Sequence, residues 1–432
     1  MALLLLIDIL YMRMNMMEPS VIMVGTMTFS AFFAMLALPV WGGELSLRGW
    51  LYLFASMAVF VYGSIWCKRS FFHGEPWREK GEEKILPYQV GYFRLAISLL
   101  IMLVLAYASF QELQAVAMKV NPDAKLVEMF KVVRQAVESK ELELSRWMNY
   151  RSLVAQMITY VYLYIFIHNV VFYGFRIGWL KALLPLAAYI PFMAFTTGRM
   201  ALLCLVVYLI IVTGIIYQRK HGLEWQANKR LLMMLLLGGV AFIGLFLVMG
   251  MLTGKGLSDT KSPLMVIAHY AGLSIPAFGK AVDMPVLEDG YIGSHTMIGI
   301  YRVLEKLGLS LPEVETFLPF TQIGGIDTNV YTAQWRYFMD FGLVGMLAIL
   351  WLMGVGYTFL YNYIKTFEYR PFLIMFYGII AVPLFLSSID ERLLMDFLGT
   401  AILYDLLVLF CAYKMLMKES MVSDVKNYEI ER

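Results

Sequence analysis

Ten stretches of this 432-residue chain are long and apolar enough to cross a bilayer as helices. A span needs about 20 mostly apolar residues, because a helix rises about 1.5 Å per residue through a hydrocarbon core about 30 Å thick. The stretches fall at about 19–40, 49–67, 92–110, 152–173, 178–197, 199–217, 231–251, 338–361, 371–389 and 397–413, and residues 1–12 make a short eleventh. Backbone in lipid has to satisfy its own polar groups, so helix is the expected form of every span. The expectation is an all-α polytopic membrane protein with 10–11 transmembrane helices in one integral domain over residues 1–432. Pro185, Pro191 and Pro383 interrupt spans, which packed membrane helices tolerate. Composition agrees, with 16% charged residues against about 25% in soluble domains. A net charge of +3 is too small to point to nucleic acid. Cys67, Cys204 and Cys411 lie in or beside apolar runs with no metal-ligand spacing, so neither a disulfide framework nor a cysteine metal site is expected.

Lysine and arginine in short loops set the direction of insertion. Lys68, Arg69, Arg78, Lys80 and Lys84 crowd 67–88; Arg219, Lys220, Lys229 and Arg230 crowd 218–230; Lys365 and Arg370 lie in 362–370, and Lys414, Lys418, Lys426 and Arg432 in the tail. With the spans above, all four segments share one side, which is therefore cytoplasmic. The opposite side receives two long loops, 111–151 and 252–337. The first reads as an external helical loop, with Val127, Phe130, Val133, Val137 and Leu142 in helical periodicity. The second is too polar to be absorbed by spans, and the expectation is that it forms part of the functional site. Residues 262–281 mimic a span but would invert every later loop, so they are expected as an external re-entrant or interfacial helix.

Four arginines fall at outer span ends or in external loops: Arg199, Arg302, Arg336 and Arg392. Any one of them alone reads as readily as a snorkelling anchor. Arg199 sits in a hairpin with almost no loop, beside Thr196, Thr197 and Gly198. Arginine's planar fork suits phosphate. Asp340 follows Arg336 by one helical turn, either as an ion pair that fixes the helix end or as the group that aims the arginine at an anion. Asp390, Glu391 and Arg392 cluster at another outer edge. His269 and His295 are the external histidines, each readable as structural or as a base near neutral pH. Two histidines without paired cysteines or a dense carboxylate cluster argue against a metal, and no Walker A or GxGxxG segment suggests a nucleotide cofactor; none is expected. A transporter would place charges near the bilayer midplane, where His168, Asn169 and Asp405 are the few candidates.

Three segments together resemble the Wzy-type oligosaccharide repeat-unit polymerases: Thr196-Thr-Gly-Arg-Met-Ala-Leu-Leu203, His269-Tyr-Ala-Gly-Leu-Ser-Ile-Pro-Ala-Phe278, and Asp327-Thr-Asn-Val-Tyr-Thr-Ala333 followed by Tyr337-Phe-Met-Asp-Phe-Gly-Leu-Val-Gly345. The family often carries a serine between the glycine and the arginine; here Gly198 precedes Arg199 directly. The resemblance implies a glycosyltransferase-C-like helical bundle in the bacterial inner membrane. It implies a metal-independent transfer of glycan from polyprenyl diphosphate onto a new lipid-linked repeat unit at the outer face. Its partners would be polyprenyl-diphosphate-linked oligosaccharides and membrane lipid, with a chain-length regulator and a flippase of the same pathway. Arg199, Arg336, Asp340, Arg302 and Arg392 are then the catalytic candidates, and Thr197, Tyr270, Asn329, Tyr331, His269 and His295 the substrate-binding candidates. Tyr291, Tyr301, Phe317 and Phe320 join Tyr331 as faces for sugars. An O-antigen ligase, or a flippase for lipid-linked oligosaccharides, is the alternative.

Overall fold

In the computed structural model the chain is helical almost throughout. It describes residues 1–72, 85–123, 126–138, 144–195, 200–223, 225–252, 263–283, 292–310, 318–366 and 369–417. In chain order the elements are α1 (Ala2–Tyr11), α2 (Pro19–Trp41), α3 (Leu47–Phe71), α4 (Tyr92–Val120), α5 (Leu126–Glu138), α6 (Arg146–Tyr173), the 3₁₀ helix η1 (Ile177–Leu183), α7 (Leu184–Phe195), α8 (Met200–His221), α9 (Trp225–Leu252), α10 (Pro263–Gly272), α11 (Ser274–Asp283), α12 (Ile298–Lys306), β1 (Thr321–Ile323), β2 (Ile326–Thr328), α13 (Ala333–Thr366), α14 (Pro371–Ile380), α15 (Val382–Leu386), α16 (Leu393–Phe397) and α17 (Ala401–Leu416). Among the described residues eight helical stretches are long and apolar enough to cross a membrane. The protein is an all-α, multi-pass membrane protein.

The other two expected spans take shorter forms. The stretch at 371–389 is broken at Ala381 into α14 and α15, because Pro383 has no amide to donate and its ring crowds the preceding turn. The stretch at 397–413 becomes α17, which begins only after the turn at 398–400.

The chain divides into two compact units. The first comprises Met1–Arg78, Leu257–Arg370 and Ile380–Tyr404; the second comprises Glu79–Gly256, Pro371–Ile379 and Asp405–Arg432.

In the first unit α13 packs along α3 and α10 along α2. The expected interfacial segment 262–281 is two ten-residue helices, each too short to cross. They lie on the spans through glycine: a Cβ on Gly272 would stand 2.6 Å from the Ala34 amide nitrogen, and one on Gly49 would collide with Gly279. Without side chains these backbones approach closely, the usual device of helix contacts in membranes. The β1–β2 hairpin pairs Thr321 with Thr328 and Ile323 with Ile326, and the Gly325 amide donates to the Trp41 carbonyl at 3.2 Å. At the opposite end Glu18 Oε1 accepts from Lys68 Nζ at 2.7 Å and from Asn15 Nδ2 at 3.1 Å, with Lys365 Nζ 3.8 Å away. Lys365 is buried.

In the second unit α4 runs on to Val120 and α5 folds back against it, so the loop expected at 111–151 is largely helix. Met129, Val133 and Ala136 form its buried stripe, while Phe130 and Val137 are half-buried; Leu142 lies outside the described residues. Tyr160 and Tyr208 stack with ring centres 3.9 Å apart. His168 and Asn169 are buried, and they serve the backbone. Asn169 bonds the Tyr88 amide at 2.9 Å and the Tyr88 carbonyl at 2.8 Å, and His168 Nε2 lies 3.1 Å from the Leu86 carbonyl.

Candidate functional site

The start of α13 gathers the polar groups of the first unit. Its first turns, from Ala333 to Phe341, end at Gly342, whose φ of 63° and ψ of −170° break the helix. That backbone region is open essentially to glycine alone. The break separates a short polar arm from the apolar span. The arm is tied at its start, where the Ala333 amide donates to the Ser387 carbonyl at 2.8 Å.

Arg336 is 3% exposed. Its Nη1 donates to the His295 carbonyl at 3.2 Å, and its Nε lies 3.4 Å from Asp390 Oδ1. Asp340 turns to the same stretch of chain: Oδ2 accepts from the Thr296 amide at 2.8 Å and the Thr296 hydroxyl at 2.6 Å, and Oδ1 accepts from the His295 amide at 3.1 Å. The two charged residues therefore grip the turn at 294–296 from both its carbonyl and its amide side. The ion pair between Arg336 and Asp340 allowed by their spacing does not form; the arginine's carboxylate is Asp390, 54 residues on.

Beside Asp390, Glu391 is buried and accepts from the Tyr337 hydroxyl at 2.9 Å and the amides of Leu394 at 2.7 Å and Met395 at 3.1 Å. Burial raises its pKa above the ordinary carboxylate range, against the pull of those three donors. Arg392 pairs with Asp396 at 3.1 Å across one turn. An apolar groove of about 320 Å³ opens directly after this turn, with Ile349, Met353, Tyr357, Leu393, Leu394 and Phe397 in its walls.

The His295 ring stands edge-on to Trp335, 5.1 Å between centres, and Tyr331 lies 5.0 Å from the same indole. Tyr331 is buried, its hydroxyl donating to the Pro319 carbonyl at 2.9 Å, and burial pushes its pKa up to about 12. It packs the arm and offers no open face, whereas Phe320 is exposed. Tyr291 and Phe317 lie outside the described residues.

The structure thus brings together Arg336, Asp340 and His295, with Asp390 and Glu391. Arg392 stands in the same turn as these two acids. Tyr331 joins through Trp335, and Asn329 is half-buried two residues before it. Arg302 is on the exposed side of α12. His269 is half-buried in the last turn of α10, its ring 5.7 Å from Tyr270, and burial lowers its pKa. Arg199 and Thr197 lie outside the described residues. Among those residues no three His, Cys, Asp or Glu side chains cluster so as to hold a metal ion. Trp335 and Thr296 were not singled out from the sequence, where their only signal is to flank Arg336 and His295; Tyr337 opened a segment of the resemblance but was given no role.

Comparison with known proteins gives one bearing on this arrangement. The chain is similar to an O-antigen polymerase of Shigella dysenteriae. The two are 23% identical over 192 residues, which cover 42% of this chain and 46% of that protein. The chain thus matches less than half the length of this relative. No family model matches the chain, and no solved structure matches it.

Proposed function

We propose that the protein is an oligosaccharide repeat-unit polymerase of the bacterial cytoplasmic membrane. It joins polyprenyl-diphosphate-linked repeat units into a surface polysaccharide at the outer face. The observation that carries the reading is the buried Arg336, fixed at one end of a span between the His295 carbonyl and Asp390, in a chain similar to an O-antigen polymerase.

In this reading the leaving diphosphate is the anion that Arg336 meets. The Asp390 contact is the longer of its two bonds, and Asp390 is the more exposed partner, at 31%. Phosphate oxygens replace Asp390 on the guanidinium, in a position screened from water where a fixed charge counts for most. The acceptor hydroxyl attacks the anomeric carbon, the carbon–oxygen bond to the diphosphate breaks, and polyprenyl diphosphate departs with its charge held by arginine. The hydroxyl proton passes to a carboxylate or imidazole of the cluster, and Asp390, released from the guanidinium, is placed to take it. Asp340, filled by donors, is a positioning residue. The apolar groove beside Leu393 and Leu394 suits the isoprenoid chain. Arg199 enters on the sequence alone, as do the chain-length regulator and the flippase as partners.

The test is deletion of the gene in its host, followed by analysis of surface glycan length. Loss of a polymerase leaves single repeat units on the surface; loss of a flippase leaves none, and that result would overturn the reading. Purified protein extending lipid-linked repeats in excess EDTA is the expected outcome for a metal-free transfer; activity lost to EDTA and restored by Mg²⁺ or Mn²⁺ would reject that part.

A further inference from the structure

We propose that a cationic notch in the second unit, between the start of α4 and the turn leading into η1, binds the phosphate-bearing headgroup of an anionic membrane lipid. The notch measures about 380 Å³ and is lined by Gln89, Val90, Gly91, Arg176, Trp179 and Lys181, with the backbone of Gly178. Among the described residues that line it, two side chains are cationic and none is acidic. One wall is fixed by the end of α6: Asn169 brackets the Tyr88 peptide group from both sides, and the Tyr173 hydroxyl donates to the Ile85 carbonyl. The other wall is fixed by Trp179, whose indole donates to the Gly174 carbonyl at 3.2 Å and whose amide donates to the Arg176 carbonyl at 3.0 Å. Lys181 Nζ sits over the Tyr92 ring at 4.3 Å, a contact that holds an ammonium near the mouth. The positive end of the 29-residue α4 opens onto the same space with glycine at its N-cap, which adds to the attraction for an anion.

The surroundings choose the source of the phosphate. Phe175, Ile177, Leu180, Leu184, Tyr92 and Phe93 are exposed around the notch. An apolar collar around a cationic pocket fits an amphiphile, with chains along the collar and headgroup inside; a soluble phosphate gains nothing from it. The lysine and arginine asymmetry puts this end of α4 and α6 on the cytoplasmic side, where anionic lipids meet basic pockets between helices. The notch uses none of the residues of the proposed transfer, so it stands or falls independently of that reading.

The test uses full-length protein in phosphatidylcholine nanodiscs or micelles, probed with phosphatidylglycerol by native mass spectrometry and by thermal unfolding. Wild type is expected to retain phosphatidylglycerol over phosphatidylcholine and to unfold at higher temperature with it. Arg176→Gln combined with Lys181→Gln is expected to weaken retention by roughly tenfold or more while unfolding like wild type in phosphatidylcholine alone. Arg176→Lys with Lys181→Arg keeps both charges and is expected to keep retention; if the double glutamine variant fails to fold, this variant and Lys181→Gln alone carry the comparison. Equal retention of the two lipids by wild type, or undiminished retention in the glutamine variants, overturns the proposal. Inorganic phosphate that stabilises the protein as well as phosphatidylglycerol does would make the notch a soluble-phosphate site and overturn the lipid assignment.

Discussion

Arg336 and Asp340 stand one helical turn apart, yet each is bonded to the turn at 294–296: the arginine to its carbonyl at 3.2 Å, the aspartate to its amides at 2.8 and 3.1 Å. Their energies should be coupled through that shared backbone. Asp340→Asn puts an amide donor where two N–H groups and a hydroxyl donate, and a lost bond to a charged group costs about 1.5–3 kcal/mol. Unfolding in detergent should show that loss, with a departure from additivity of about 0.5–3 kcal/mol in the Arg336→Gln/Asp340→Asn cycle. Strict additivity would show that the turn does not transmit between them.

Arg336→Lys separates anchor from clamp. A snorkelling arginine is replaced by lysine with little effect, but a planar fork that meets phosphate is not. The variant should insert normally and lose a factor of about 10²–10³ in polymerisation, read as chain-length distribution at matched protein level. A wild-type ladder would remove Arg336 from the reaction.

The contact between α3 and α11 predicts an asymmetry. A Cβ on Gly49 strikes the Gly279 backbone, whereas one on Gly279 meets the Ser46 Cβ at 3.1 Å. Gly49→Ala should therefore cost about 1–3 kcal/mol and Gly279→Ala less, measured by thermal unfolding. Equal effects would mean the helices part easily there.

His269 predicts a pH dependence of stability. Burial lowers its pKa in the folded protein, so the neutral ring is favoured there. The contribution is fully present above the unfolded value, about 6.5, and is lost as pH falls through the folded one. Unfolding temperature should drop on acidification below neutrality, and His269→Gln should flatten that part of the profile. An unchanged slope in the variant would assign it to other groups.

The spans were legible because crossing a membrane is a matter of length and composition, both written locally in the chain. Their breaks were partly legible: Pro383 marks where the stretch from Pro371 divides, but nothing around Gly342 shows that α13 bends there. The pairings were not legible. Arg336 finds Asp390, and Asp340 finds Thr296, across more than forty residues, and helical spacing alone favoured the wrong partner. Lys365 shows the same limit: counted as a cytoplasmic charge, it lies buried near Glu18.

The backbone of Gly342 has a mechanical consequence for the site. The stretch 343–366 by itself runs on the order of 36 Å, enough to cross the hydrocarbon core. The arm that carries Arg336 and Asp340 thus owes nothing to the thickness of the membrane. A span that tilts to suit a thinner or thicker bilayer is expected to pivot at this residue, leaving the arm's hold on 294–296 in place.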